Sequence, residues 1–147
     1  MLNRTRPIEI LLVEDNPADV RLVEEGLNET KIRNVLHAVV NGKQALDFLF
    51  RREEHAEAPR PDLILLDLNL PGISGHEVLA AVKGDDGLKA IPVVVLTSSE
   101  AENEIRRAYE AHANCFISKP VDFTGLIEVV ARIERFWFST VRLPKLT

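Results

Sequence analysis

The amino-acid sequence predicts a three-layer α/β fold, in which helices cover both faces of a doubly wound, five-stranded parallel sheet. Five short apolar runs of strand length alternate with segments of helical periodicity. Several of these runs lack polar alternation, as expected for parallel strands that are buried on both faces. The predicted strands span residues 8–13, 35–40, 63–66, 93–96 and 115–117.

Helix-start signals between the runs support the same order of elements. Asn16 precedes Pro17, which places a capping side chain before a proline at a first helical position. Three further pairs have the spacing of a capping box, in which the first side chain caps a backbone N–H and the second bonds back. These pairs are Asn41 with Gln44, Ser74 with Glu77, and Ser99 with Glu102.

The last predicted helix carries more apolar surface than packing on one sheet requires. Its sheet-facing stripe and a second apolar set together span an arc of about 220°, against the ~100° that a surface helix needs. The tail from Arg142 to Thr147 could fold over the excess, but we favour a homodimer interface that includes this helix. The stripe contains Leu126, Val129, Val130, Ile133, Phe136 and Trp137, and the second set contains Phe123, Ile127, Ala131, Phe138 and Val141.

Length and composition predict one globular unit. The chain has 147 residues, of which 46% are hydrophobic and 28% charged, and this length leaves no room for a second folded output domain. The net charge of −5 disfavours nucleic-acid binding, because that requires a basic surface. We expect a single domain over residues 1–147, with a core at about 8–138 and a C-terminal extension at 139–147.

Cysteine usage and the N-terminal sequence predict a cytoplasmic protein. Cys115 is the single cysteine, so no internal disulfide can form, and no Cys/His cluster has the spacing of a zinc site. The apolar stretch at 8–13 is broken by Glu9 and is too short for a signal peptide or a membrane span. We therefore expect no membrane association.

Polar side chains follow four of the five apolar runs, at the point where each run ends. Singly, each has an ordinary explanation, since Asp suits a turn and Lys suits a surface. Parallel strands, however, share one carboxyl edge, where ligands bind near the topological switch point. We expect the side chains to converge there. They are Glu14 and Asp15 after the first run, Asp67 after the third, Thr97 after the fourth, and Ser118 with Lys119 after the fifth.

Three converging carboxylates predict a cation site that supports phosphoryl transfer. Two carboxylates about 4 Å apart repel by roughly 4 kcal/mol at an effective dielectric of about 20. Without a cation, the negative charge of the carboxylates would repel phosphate. A bound Mg²⁺ reverses this effect, and Mg²⁺ prefers carboxylate and phosphate oxygens as ligands. Asp67 can then attack phosphorus as a nucleophile to give an aspartyl phosphate. Lys119 can stabilise the charge, and the Thr97 hydroxyl can donate a hydrogen bond.

These motifs resemble the response-regulator receiver domains of two-component signalling, over residues from about Ile8 to Phe138. The segments that carry the resemblance are ILLVEDN, LILLDLNLPGISG, VVVLTSS and FISKP. The resemblance implies a flavodoxin-like strand order of 2-1-3-4-5 with five helices. It also implies that Asp67 is the phosphoacceptor, and that Mg²⁺ or Mn²⁺, with Ca²⁺ as a substitute in crystals, is held by Glu14, Asp15, Asp67 and the backbone carbonyl of Asn69.

The same resemblance implies a switch and a phosphodonor. Thr97 and Phe116 match the switch residues of the family, Lys119 matches its lysine, and the Lys119–Pro120 bond is expected to be cis, which is cheap only before proline. A partner histidine kinase is expected to phosphorylate Asp67, after which Thr97 turns inward and Phe116 fills the released space. Such a protein is a signalling switch rather than an enzyme, with only slow self-phosphorylation from small donors and slow self-dephosphorylation.

A narrower resemblance points to the small stand-alone regulators that are paired with bacterial and cyanobacterial phytochromes. It rests on the HANCF stretch, on the long charged loop before the third strand and on the ending RIERFWFSTVRLP. It implies a bacteriophytochrome-type kinase as the partner. The chain departs from many receivers at His112-Ala113, where they have Gly-Ala.

Two other classes of protein have some of the same sequence features. Hydrolases of the haloacid-dehalogenase type also have an Asp nucleophile at a strand end, but an acid normally stands two residues later, where this chain has Asn69. A flavodoxin-like FMN binder requires a hydroxyl- or Gly-rich loop after the first strand, where this chain has Glu14 and Asp15. The segment from Gly72 to Gly75 lacks the Gly-Lys of a P-loop. Both alternatives are weaker matches than a receiver.

Overall fold

The computed structural model describes residues 6–29 and 32–144 and contains one parallel sheet. Its strand order is β2-β1-β3-β4-β5, as predicted. Each strand agrees with its predicted run to within one residue at either end. The strands are β1 (Ile8–Val13), β2 (Asn34–Val39), β3 (Leu63–Leu66), β4 (Val93–Thr97) and β5 (Cys115–Ser118).

Within the described residues, five α-helices connect and cover the strands. A short 3₁₀ turn lies in the charged loop before β3, and a π-helical segment follows the last α-helix. None of the helices in the described part of the chain is long and apolar enough to cross a membrane. The helices are α1 (Pro17–Asn28), α2 (Gly42–Leu49), α3 (Gly75–Lys83), α4 (Glu102–Glu110) and α5 (Phe123–Arg135), with the 3₁₀ turn at Glu53–His55 and the π-helical segment at Phe136–Thr140.

The two faces of the sheet form two separate apolar cores. In β1, Leu11 and Val13 pack with α2, α3 and α4 on one face, while Ile10 and Leu12 pack with α1 and α5 on the other. This is the two-residue alternation of a strand that is covered on both sides. Each fully buried Leu or Ile contributes about 1.5–3 kcal/mol of burial free energy, so these cores hold the strand ends in place.

Most of the predicted helix caps are present. The Asn16 side chain accepts hydrogen bonds from two N–H groups of the first turn of α1. Ser74 and Glu77 form a complete capping box at the start of α3, with bonds of 3.2 and 2.7 Å. The Asn41 side chain accepts from the N–H of Gln44 at 2.8 Å. The Gln44 side chain accepts from the N–H of Val40 rather than from that of Asn41, so the box is not closed.

The capping box predicted at Ser99 and Glu102 is wrong. Helix α4 begins at Glu102, so this residue is its first position rather than its third, and Ala101 is the N-cap without a side-chain bond. The Ser99 hydroxyl accepts from the N–H of Ala101 at 3.4 Å, in a local turn. Ser and Thr favour such turns as readily as caps, which is why the spacing alone misled the prediction.

The end of α5 does not follow the predicted stripe. Phe138 is buried in the core that α1 and α5 share, whereas Phe136, assigned to the sheet-facing stripe, is 52% exposed. The cause is the π-helical segment, in which the N–H of Val141 bonds the carbonyl of Phe136 five residues earlier at 2.9 Å. A wider turn changes the angle between successive side chains, so a 100° projection fails beyond Arg135.

Helix α4 ends in a Schellman motif with a non-glycine residue at the left-handed position. The N–H of His112 bonds the carbonyl of Tyr109, and the N–H of Ala113 bonds that of Ala108, both at 2.9 Å. His112 has φ of 71°, a conformation that favours glycine because it lacks a Cβ. The departure from the Gly-Ala of many receivers therefore places backbone strain at this turn.

We predict that His112→Gly raises the free energy of unfolding by about 1 kcal/mol, because it removes the left-handed strain. For a chain of this size, that corresponds to a rise in Tm of roughly 2–4 °C. Thermal unfolding followed by circular dichroism measures it. His112→Ala is the matched control and keeps the strain, so an equal gain in that variant would contradict the explanation.

A buried acid on α5 was not anticipated from the sequence. Glu134 is 0% exposed, and its Oε2 accepts a hydrogen bond from Asn34 Nδ2 at 2.7 Å. Its Oε1 is buried without a hydrogen-bond partner among the described residues. Burial raises the pKa of this carboxyl from 4.5 to about 7, although Arg135 and the Asn34 bond act in the opposite direction.

We predict that Glu134 makes stability fall as pH rises between its unfolded and folded pKa values. Below pH 4.5 the carboxyl is protonated in both states, whereas between 4.5 and about 7 only the folded state retains the proton. The loss from this residue alone is on the order of 3 kcal/mol. In Glu134→Gln, the Tm difference between pH 5 and pH 8 should shrink. The exposed Glu128→Gln is the control, and equal changes in both variants would refute the role of burial.

Candidate functional site

The acidic side chains lie at the carboxyl edge of the sheet, where β1 and β3 end side by side. The N–H of Asp67 bonds the carbonyl of Val13 at 3.1 Å, and the N–H of Glu14 bonds that of Val39 at 3.0 Å, so both residues continue the sheet ladder. The structure brings Glu14, Asp15 and Asp67 together, with one carboxylate oxygen of each within 4.8 Å of the others. Glu14 and Asp67 are buried and Asp15 is exposed.

The Lys119 ammonium lies among these carboxylates. The N–H of Lys119 bonds the carbonyl of Thr97 at 2.7 Å, which fixes its backbone beside the end of β4. Its Nζ donates to Glu14 Oε1 at 2.5 Å, to Asp67 Oδ2 at 3.1 Å and to Asp19 Oδ2 at 2.9 Å. The Lys119 side chain is only 9% exposed, so its single positive charge faces these carboxylates with little water between them.

The pKa values at this centre reflect competition between burial and charge. Burial by itself lowers the pKa of Lys119, but its hydrogen bonds to Glu14 and Asp19 and the charge of Asp67 outweigh burial and raise it. Burial, helped by the charge of Asp67, raises the pKa of Glu14 to about 7, against the opposing bond from Lys119. One ammonium does not fully compensate the buried carboxylates, so the donor set fits a hard divalent cation.

Both oxygens of Asp67 accept hydrogen bonds. Oδ1 accepts from the Thr97 hydroxyl at 2.8 Å and from the N–H of Asn69 at 3.1 Å, while Oδ2 faces Lys119. The Asn69 side-chain amide donates to the Thr97 hydroxyl at 3.4 Å. Hydrogen-bond donors thus surround and orient the Asp67 carboxylate, as a positioned nucleophile requires.

The two predicted switch residues, Thr97 and Phe116, lie on the paired strands β4 and β5. Thr97 is fully buried, and its hydroxyl donates to Asp67 Oδ1 at 2.8 Å. Phe116 is half-buried and packs on the core beneath α2, α3 and α4. Its N–H donates to the Tyr109 hydroxyl at 3.1 Å, a contact between β5 and α4 that the sequence did not suggest.

The prediction of a cis bond at Lys119–Pro120 is wrong. This bond is trans, and no cis peptide bond occurs among the described residues. Trans is the preferred isomer of an X-Pro bond by about 0.5–1 kcal/mol, and only a compensating contact reverses this preference. In the trans form, Lys119 still makes its backbone bond to Thr97 and its three carboxylate contacts. The contacts of the pocket are thus compatible with the intrinsically favoured isomer.

Sequence reasoning missed two residues of the site. Asp19 contacts Lys119, and its only signal was an acid in the first turn after the Asn16 cap. Gly75, the first residue of α3, lies against the phosphoacceptor strand end. A Cβ there would collide with the carbonyl oxygen of Asp67 and lie 2.5 Å from the Cα of Leu68. The sequence feature that could have indicated Gly75 is its position directly after the predicted N-cap Ser74.

Comparison with known proteins identifies the family. The family model described as the response regulator receiver domain matches residues 10–131. This chain belongs to the response regulator receiver family. The family match does not favour a hydrolase or an FMN binder, the two alternatives that the sequence left open.

Relatives of this receiver match it along nearly its whole length. Response regulator Rcp1 of Synechocystis is 48% identical over 138 residues, which are 94% of either chain. The crystal structure of the phosphorylated cyanobacterial phytochrome response regulator RcpA is 46% identical, with a TM-score of 0.92 over 95% of this chain and 100% of that one. The Mn²⁺-bound form of Rcp1 is 47% identical, with a TM-score of 0.91 over the same shares.

The acidic cluster of this receiver supports a divalent-metal site. Three carboxylates from β1 and β3 can offer oxygen ligands, and the exposed Asp15 leaves one side open for water or a phosphate oxygen. The similar Rcp1 is known in an Mn²⁺-bound form. The receiver therefore combines a metal-binding edge with a hydrogen-bonded carboxylate at Asp67.

Proposed function

We propose that this receiver is a phosphorylation switch that accepts a phosphoryl group on Asp67 in a Mg²⁺-dependent reaction. The observation that carries the proposal is the set of groups around Asp67. Its oxygens accept from Thr97, Asn69 and Lys119, and two further carboxylates lie within 4.8 Å. Glu14, Asp15, Asp67 and the backbone carbonyl of Asn69 would hold the cation. Mn²⁺ would bind the same oxygen ligands.

The residues of the pocket have distinct roles in this transfer. A carboxylate oxygen of Asp67 attacks phosphorus, the N–P bond of a phosphohistidine breaks, and the imidazole leaves with the electron pair and takes up a proton. Lys119 and the Thr97 hydroxyl stabilise the phosphoryl oxygens. The bound cation supplies positive charge that offsets the repulsion between the carboxylates and the incoming phosphate. Positioning and charge stabilisation suffice for this reaction class.

The proposed phosphodonor is a histidine kinase of the bacteriophytochrome type. Support comes from the similarity to RcpA, a cyanobacterial phytochrome response regulator, over 95% of this chain. It also comes from the sequence segments of the narrower resemblance. Family membership implies a histidine kinase as the partner. We propose in addition that this kinase is coupled to a photoreceptor.

The proposed output is a change at the surface of α4 and β5. Thr97 bonds Asp67 at one end of β4, and Phe116 lies beside Val95 of β4 in the sheet register. The Tyr109 hydroxyl on α4 accepts from the N–H of Phe116. A phosphoryl group would pull on the Thr97 hydroxyl and shift the balance between two arrangements of this region.

The signal is proposed to act without enzymatic turnover. Two residues after the nucleophile stands Asn69, whose side chain cannot exchange protons as an acid would. The phospho-form would then persist long enough to change protein contacts. We also propose that the chain forms a single receiver domain with a C-terminal extension at 139–147. Its proposed location is the cytoplasm.

We also propose a homodimer in which α5 takes part. An open groove of about 440 Å³ lies between β5 and α5 and is lined mainly by apolar side chains. Phe136 is 52% exposed beside it. Leu143 folds back onto the core that α1 and α5 share, so the tail covers part of the apolar surface, while residues 145–147 lie outside the described chain. A second copy would cover the groove.

The phosphoacceptor assignment predicts that a small phosphodonor with Mg²⁺ adds one phosphoryl group to the protein. Intact-mass spectrometry measures the addition. Asp67→Asn should reduce labelling by at least about 100-fold, because it removes the nucleophile. Chelation of the metal should suppress labelling of the unsubstituted protein. The buried Asp62→Asn is the control and should label normally, since Asp62 lies at the opposite end of the sheet, paired with Arg6. Equal labelling of Asp67→Asn would exclude the assignment.

The dimer proposal predicts a dimer in sedimentation at micromolar concentration, with or without a phosphoryl mimic. Phe136→Glu should shift the protein toward the monomer by about tenfold or more in Kd, because it places a charge in the interface. Val40→Glu is the control, since Val40 is similarly exposed at 48% but lies after β2. A monomer at high concentration in every state would remove the proposal.

A further inference from the structure

Asp19 is a charged residue of the pocket for which the proposed chemistry has no role. Its Oδ2 lies 2.9 Å from Lys119 Nζ, and its side chain is 23% exposed. It occupies the first turn of α1, where the Asn16 side chain accepts from the N–H groups of Ala18 and Asp19. An acid in a first helical turn interacts favourably with the helix dipole, which explains its presence but not its contact with Lys119.

The three acceptors of Lys119 fall into two classes. Glu14 and Asp67 belong to the cluster whose oxygens lie within 4.8 Å of one another and could share a cation. Asp19 bonds the same ammonium but is not a member of that cluster. A divalent cation would therefore take two of the three partners of Lys119 and leave the third.

A cation and the ammonium would compete for the same oxygen atoms. Lys119 Nζ contacts Glu14 Oε1 and Asp67 Oδ2 directly, so an ion bound there would repel the ammonium at short range. An ammonium that lost every carboxylate partner would move to water, and its charge would no longer face Asp67. One remaining carboxylate outside the cluster prevents this loss.

We propose that Asp19 is a positioning residue that retains Lys119 beside the pocket when a divalent cation occupies Glu14 and Asp67. The inference rests on the proposed metal-dependent phosphoacceptor function. Asp19 keeps the ammonium within reach of the phosphoryl oxygens that would form on Asp67. It acts through its ion pair with Lys119 and lies outside the cluster of proposed metal ligands.

The scaffold holds both ends of this ion pair. The backbone of Lys119 is fixed by its N–H bond to Thr97, so only the end of the side chain can move. Helix α1 packs on α5 in a shared apolar core, and Gly26 permits the close approach, since a Cβ there would lie 2.7 Å from the Cβ of Val130. Asp19 therefore remains in place while Lys119 exchanges its other partners.

The accessibility of Lys119 to an amine-reactive reagent tests the inference directly. Peptide mass spectrometry gives the labelling rate of each lysine in the unsubstituted protein and in Asp19→Asn, with and without Mg²⁺. Without Mg²⁺, Glu14 and Asp67 should protect Lys119 in both proteins. With Mg²⁺, Lys119 should stay protected in the unsubstituted protein and become roughly tenfold more reactive in Asp19→Asn.

Controls separate this effect from a general change in charge or folding. Glu24→Gln removes an acid from the exposed side of the same helix and should leave Lys119 protected under both conditions. Asp19→Glu keeps a carboxylate and should restore part of the protection. Lys83, whose ammonium bonds the carbonyls of Lys89 and Ile91, serves as the internal standard, because a change in its labelling would indicate loss of the fold rather than release of Lys119.

Calorimetric titration with Mg²⁺ distinguishes failure of the inference from failure of the proposed function. If the unsubstituted protein binds Mg²⁺ but Lys119 is equally protected in Asp19→Asn, Asp19 does not retain the ammonium and the inference is overturned. Release of Lys119 by Mg²⁺ in the unsubstituted protein would overturn it as well. If the unsubstituted protein does not bind Mg²⁺ at millimolar concentration, the proposed metal-dependent function fails, and the inference fails with it.

Discussion

The charge balance around the Lys119 ammonium is the constraint on which this receiver depends. Glu14 and Asp67 are buried carboxylates that enter the same space from neighbouring strands, and two such charges cannot stay close without a cation. In the structure, Lys119 supplies part of that charge and contacts Asp19 as well. The pocket is stable enough to fold, yet it retains an excess of negative charge that a divalent ion can neutralise. The same excess of negative charge thus favours metal binding, and the bound metal in turn would allow a phosphoryl group to approach Asp67.

The rest of the fold serves to hold this unfavourable cluster together. The two apolar cores fix β1 and β3 side by side, so that Glu14 and Asp67 begin at adjacent ladder positions. Helix α3 starts directly against the end of β3, and only a glycine at position 75 leaves room for the Asp67 carbonyl. The free energy of apolar burial in the two cores offsets the repulsion at the sheet edge. A strained turn at His112 is tolerated for the same reason.

The path from the pocket to the surface is short and made of hydrogen bonds. Thr97 bonds Asp67 inside the site, β4 pairs with β5 beside it, and the N–H of Phe116 reaches the Tyr109 hydroxyl on α4. A phosphoryl group on Asp67, as proposed, would act first on the Thr97 hydroxyl, which bonds that carboxylate.

Local patterns in the chain are enough to predict the alternation of strands and helices and the residues at the strand ends. These follow from local periodicity and from the shared edge of parallel strands, so Glu14, Asp15, Asp67, Thr97 and Lys119 could be named in advance. Tertiary structure alone decided which partners Lys119 takes, how close Gly75 comes to Asp67, and that Glu134 is buried. Such features depend on distances between segments far apart in the chain, which no local pattern encodes.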